Sequence, residues 1–163
     1  MNYIIDGFNL AFIIKSISTV LKQGNTEKAI KQLIHFVRSA TSHKKGKIII
    51  VFDGQDDIQP KQIMQGPIEI LFSKKPQTAD DIIRNLIRKT IDKDKWTVVS
   101  SDTEIIFTAR DHGVRTMKSG TFKNMKNKSS AKDSSKPIIE KTNPDNVDVD
   151  YWQRIFNSGK PNE

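Results

Sequence analysis

Four aspartates stand where a carboxylate can do chemistry: Asp6 closes the apolar run Ile4-Ile5, Asp53 closes Ile48 to Phe52, Asp80 sits in Thr78-Ala79-Asp80-Asp81 at the opening of a helical pattern, and Asp102 follows Val98-Val99-Ser100-Ser101. Packed strands hold such groups rigidly, and the loops leaving their carboxyl ends define the crevice in open α/β sheets. Carboxylates gathered at one edge repel one another unless a hard cation lies between them, and oxygen-only ligands suit Mg2+ or Mn2+. One such ion, or two ~4 Å apart, activates water and stabilises the charge that develops when a phosphodiester is cleaved in line. Other chemistries lack their residues. There is no cysteine and no Gly-rich phosphate loop ending in Lys-Ser/Thr, and Phe8 stands where an aspartyl-phosphate enzyme would place its second aspartate. His35 and His43 have no partner histidine at i+4 and read as polar surface rather than ligands.

The elements that must position these acids follow from periodicity. Residues 2–6 and 47–52 are apolar on both faces, as parallel strands covered by helices on each side must be. From Leu10 to Lys22 apolar residues recur at helical spacing up to Gly24-Asn25, and a second helix begins at Thr26 with Ala29, Ile30, Leu33, Ile34, Phe36, Val37 and Ala40 as its buried stripe. Residues 55–66 read as loop, and Pro67–Phe72 as a strand followed by Ser73-Lys74-Lys75-Pro76. Thr78 caps the next helix with Asp81 completing a capping box, which leaves Asp80 without a structural role; Ile82, Ile83, Leu86, Ile87 and Ile91 form its buried face. Trp96–Ser100 is a strand, Asp102 starts a short helix that ends at His112-Gly113, and Val114–Met117 is a last short strand. Alternating strands and helices predict a single α/β domain with a mostly parallel sheet flanked by helices and right-handed crossovers.

The 163 residues carry a formal charge of +8 and a pI near 9.6, with 36% hydrophobic and 28% charged residues. That suffices for one ordinary domain and a tail, and a basic body around an acidic edge favours a polyanionic partner. Lys74, Lys75, Arg84 and Arg88 are the candidate phosphate contacts. No apolar run approaches the roughly 20 residues of a membrane span, and the absence of cysteine suits a reducing compartment, so a soluble cytoplasmic protein is expected. The domain is expected over 1–122, a basic flexible linker over 123–146, and a C-terminal apolar helix over 147–157 presenting Val149, Trp152, Ile155 and Phe156.

The set IIDGFN, VFDG, EILFSKKPQTADD and VVSSDTE, in this order and with these gaps, resembles the YacP-like NYN domains, a branch of the PIN-like nucleases, over roughly residues 2–118. The resemblance implies Asp6, Asp80 and Asp102 as metal-binding acids with Asn9 and Asp53 beside them. It also implies Mg2+- or Mn2+-dependent cleavage of single-stranded RNA, messenger RNA on the ribosome included. Gly113-x-Arg115 looks like the family's closing segment, whereas Gln77 replaces a common glutamate and the usual acid after Met117 is missing. The alternative is a non-catalytic RNA-binding or ribosome-docking module with a vestigial acidic site.

Overall fold

In the computed structural model, described for residues 1–42, 45–54 and 63–130 (for 63–65 and 126–130 as backbone only), six strands form one sheet. They are β1 (Asn2–Asp6), β2 (Ile48–Phe52), β3 (Ile63–Gln65), β4 (Ile68–Phe72), β5 (Trp96–Val99) and β6 (Arg115–Met117), ordered β3-β4-β2-β1-β5-β6. All adjacent pairs are parallel except β3 with β4. The interior strand β1 runs between β2 and β5, with Ile5 level with Ile50 on one side and Val99 on the other.

Because strand side chains alternate, each continuous apolar run feeds two cores. Tyr3, Ile5, Ile48, Ile50 and Phe52 point to one face, where α1 (Gly7–Ile13), α2 (Lys15–Lys22), α3 (Thr26–Ala40) and α6 (Ser119–Ser130) cover them. Ile4, Ile49, Val51 and Val98 point to the other, against Ala79, Ile83 and Ile87 of α4 (Ala79–Lys89) and Ile105 and Ala109 of α5 (Thr103–Asp111). Among the described residues no helix is long and apolar enough to cross a membrane.

Several details differ from the sequence expectation. The helix read over residues 10–22 is two helices, parted at Ile14, which is extended (φ −86°, ψ 104°) and buried. Consecutive β-branched Ile13 and Ile14 lower the cost of a break there, and the bend carries both Leu10 and Ile17 into one core. Ile91, expected on the buried face of α4, is 92% exposed. That helix stops at Lys89, where Thr90 turns extended and its hydroxyl donates to the Leu86 carbonyl. Within the segment read as loop, β3 turns through Gly66 (φ 65°) to pair with β4, while 55–62 lie outside the described residues.

The domain boundary at 122 and the linker start at 123 also need correction. Helix α6 runs through both, with Phe122 fully buried edge-on to Tyr3 at 5.6 Å and Met125 packed on the same core. Lysine-rich composition hid a one-sided helix whose buried side is carried by two residues three apart. Residues 131–163, including the expected helix 147–157 and Trp152, lie outside the described residues.

Candidate functional site

The crevice is assembled by side chains that tie one strand end to the next. Asp6 ends β1 and caps α1: Oδ1 accepts the Asn9 amide at 3.2 Å and Oδ2 accepts the Ser100 hydroxyl at 3.1 Å. Ser100, fully buried just past β5, in turn accepts the Asp102 amide at 3.0 Å. One serine oxygen therefore joins Asp6 to Asp102. Asp102 caps α5 through Oδ1, which accepts the amides of Glu104 (2.8 Å) and Ile105 (3.1 Å) and satisfies two donors that every helix start leaves open.

Asn9 is placed by the same logic. Its Oδ1 accepts the Ser101 amide at 3.0 Å and the hydroxyl of buried Ser119 at 2.8 Å, which ties α1 to the end of β5 and the start of α6. An amide can only donate, so this bond fixes which end of the carboxamide is oxygen. Asp53 is likewise engaged: Oδ1 accepts the Ser73 hydroxyl and the first amide of α4, Ala79, each at 2.8 Å. Expected to position metal, water or phosphate, Asn9 and Asp53 each commit Oδ1 to bracing the site.

The glycine after Asp53 belongs to this brace. A Cβ on Gly54 would lie 1.9 Å from the Ser73 carbonyl oxygen, and the Gly54 amide donates to the Ser73 hydroxyl at 3.0 Å. Gly54→Ala must push β2 and β4 apart at their site ends, and the backbone has no flexible atom to yield. The expected loss is about 1–3 kcal/mol, the range of an overpacked core, and several degrees of melting temperature by thermal denaturation. An unchanged melting curve would refute this reading of the glycine.

Asp80 occupies the second position of α4, half-buried, directly after the Thr78 cap. The capping box of Thr78 and Asp81 is present, with the Asp81 amide on the Thr78 hydroxyl at 3.3 Å and the Thr78 amide on Asp81 Oδ2 at 3.0 Å. The Thr78 amide and then its hydroxyl, both donating to Asp81 Oδ2, hold the Asp81 carboxyl below its usual range, and the cap leaves Asp80 unused.

Electrostatics makes the acids one cluster. Burial, opposed by the bonds from Asn9 and Ser100 and reinforced by the charges of Asp80 and Asp102, pushes the Asp6 carboxyl up to about 6. Asp80 is raised as well, first by burial and then by Asp102, with Asp53 and Asp81 adding and Arg84 opposing. Asp6, Asp80 and Asp102 thus feel one another across the carboxyl ends of β1 and β5, and Asp53 joins through Asp80. Among the described residues, however, no three His, Asp or Glu are placed to hold a metal ion directly. The donor set is all oxygen and mutually repelling, which fits a hard cation that keeps several of its waters, as Mg2+ does.

The cations expected to meet phosphate divide. Lys74 and Lys75 are exposed on the segment between Ser73 and Ala79, both ends of which are bonded to Asp53. Arg88 is exposed on α4. Arg84 is committed to Glu104 of α5, its guanidinium 2.5 Å from the carboxylate. The serines 73, 100 and 119 were missed as site residues. The available signal was a small hydroxyl immediately after or near the end of an apolar strand, a position too short for solvent display and well suited to bridging adjacent loops.

Comparison with known proteins agrees with this architecture. Two crystal structures of Rae1 (YacP) from Bacillus subtilis share the fold: a tryptophan-to-leucine variant at TM-score 0.64, 19% identity and coverage of 79% of this chain and 76% of that one, and a second at TM-score 0.61, 20% identity and coverage of 80% and 78%. No curated protein sequence matches the chain. The YacP-like NYN domain model matches residues 3–155, and the chain belongs to that family.

Proposed function

We infer that the protein is an endoribonuclease that cleaves single-stranded RNA at the edge formed by Asp6, Asp80 and Asp102, with messenger RNA on the ribosome as the substrate suggested by the family resemblance. The observation that carries this reading is the coupled acidic cluster, in which burial and mutual repulsion drive Asp6 to about 6 at the open edge of a basic protein. Perturbed carboxylates gathered in a cleft mark functional sites. Membership of the YacP-like NYN family and the likeness to Rae1 support it.

Asp6, Asp80 and Asp102 would hold the divalent cation, Mg2+ or Mn2+, which when bound supplies Lewis-acid activation of water and stabilisation of phosphoryl charge. The chain's own groups do the rest. Ser100 fixes the spacing of Asp6 and Asp102; Asn9 and Asp53 hold the loops that carry them; Lys74, Lys75 and Arg88 draw the RNA backbone to the edge, while Arg84, paired with Glu104, orients α4 against α5. A second reading is RNA binding or ribosome docking without cleavage, for which the exposed Lys74, Lys75 and Arg88 would suffice.

Incubation of labelled single-stranded RNA with Mn2+ or Mg2+, and with chelator, separates the two. Metal-dependent cleavage supports the nuclease, and salt-dependent binding without cleavage supports the docking module. In the same binding titrations, log affinity should fall linearly with log salt by about 0.7 per phosphate neutralised on a single strand. Replacing Lys74 and Lys75 together by Ala should flatten that slope by up to ~1.4. A slope untouched by the double substitution removes these lysines from the RNA path.

A further inference from the structure

Phe107 is 73% exposed on α5, yet it does not stand alone on the surface. It lines a groove of about 510 Å3 with Thr103, Glu104 and Thr108 of its own helix and Arg84 and Arg88 of α4. A second recess, about 400 Å3, lies against the same two arginines and Asp81, whose carboxylate is held by the Thr78 amide and hydroxyl, and reaches Pro76 and Gln77, beside Lys74 and Lys75. Cations therefore run from the turn before α4, along that helix, to an uncovered aromatic ring. Within the groove Glu104 already faces Arg84, so its charge is answered, and Arg88 has no ion pair among the described residues.

Distance along the helices relates the groove to the acids. At about 1.5 Å rise per residue, Phe107 lies ~7.5 Å along α5 from Asp102, and Arg88 lies ~12 Å along α4 from Asp80. These are separations of one or two nucleotides of an extended strand. Isolated exposed phenylalanines need no explanation, but a ring beside arginines at the end of a cationic path has the make-up of a single-strand binding surface, in which bases stack on aromatics and cations track the backbone. We propose that Phe107 is a base-stacking platform for single-stranded RNA, holding a nucleotide flanking the acidic edge while Arg88 contacts its phosphate. The proposal rests on the RNA reading above and adds to it where the strand leaves the site.

The test measures binding of a labelled oligouridine in chelator, so that cleavage plays no part. Phe107→Ala should weaken affinity about tenfold, within the range of one lost base stack, with an unchanged melting temperature and an unchanged salt slope. Phe107→Trp should keep the affinity and gain an indole emission that RNA quenches. Arg88→Ala should lower the salt slope by about 0.7. For an oligomer of abasic ribose phosphate, wild type and Phe107→Ala should bind alike. Equal oligouridine affinity of wild type and Phe107→Ala overturns the platform whatever the cleavage assay gives, as does weakened binding to ribosomes with RNA binding intact. A wild type that binds but does not cut, with Phe107→Ala still weaker, overturns the nuclease reading and sustains the platform.

Discussion

Asp102→Asn is expected to cut metal-dependent RNA cleavage by two to three orders of magnitude while leaving the fold and the melting temperature close to wild type. The activity loss is that of removing one preorganised electrostatic group from a reacting centre. Stability is preserved because Asp102 Oδ1 caps α5 by accepting the amides of Glu104 and Ile105, and asparagine presents the same oxygen. Asp102→Ala, by contrast, loses the cap as well and should cost about 1 kcal/mol in addition to the activity. Comparing the two variants by thermal denaturation and by cleavage of labelled RNA separates the cap from the chemistry. Cleavage by Asp102→Asn at the wild-type rate would remove this carboxylate from the site.

That separation depends on a role the sequence did expose. Asp102 reads as both a strand-end carboxylate and a helix start because local rules govern both, and Thr78 with Asp81 was legible for the same reason. The strands were legible too: a run such as Ile48–Phe52, apolar on both faces, fits a covered parallel strand and little else. Composition misled where two core-packed positions outweigh their neighbours, as with Phe122 and Met125 in lysine-rich α6, or where a short edge strand such as β3 has three residues in which to declare itself.

Within the site, the placement of the acids was readable and the division of labour was not. Nothing near Asn9 in the chain indicates that its carboxamide oxygen is taken by Ser101 and Ser119, 92 and 110 residues away. Asp53 and Asp80 look alike in sequence, each an acid at the end of an element, but Asp53 is held by Ser73 and Ala79 whereas Asp80 is left outside its helix's cap. The two Asp-Gly pairs suggest turns, yet neither glycine adopts positive φ. A Cβ on Gly7 would lie 2.5 Å from the Phe52 ring and one on Gly54 would meet the Ser73 carbonyl, so both are close approaches to a partner that periodicity cannot name. The same holds for Arg84, whose partner Glu104 sits on another helix.

The coupling of the acids has its largest consequence for stability at Asp6. Between pH 3.8 and about 6 the folded protein holds a proton on this carboxyl that the unfolded chain has released. Its contribution is therefore fully present below the unfolded value and is lost as pH rises through the folded one. At roughly 1.4 kcal/mol per tenfold the full loss is up to about 3 kcal/mol, and partial exposure to water brings it to about 1–2 kcal/mol. Asp6→Asn has no such proton to lose. Its Oδ1 can still accept the Asn9 amide, and its Nδ2 can donate to Ser100, whose hydroxyl is free to rotate. In chelator the variant should therefore melt near wild type at pH 4 and several degrees above it at pH 7.5, while losing RNA cleavage as Asp102→Asn does. Added Mn2+ should narrow the gap at pH 7.5 by stabilising the wild type more than the variant. A melting-temperature difference that stays constant from pH 4 to 7.5 would show that Asp6 is not held proton-rich by burial and its neighbours, and the account of the acidic cluster as a mutually repelling group would fail with it.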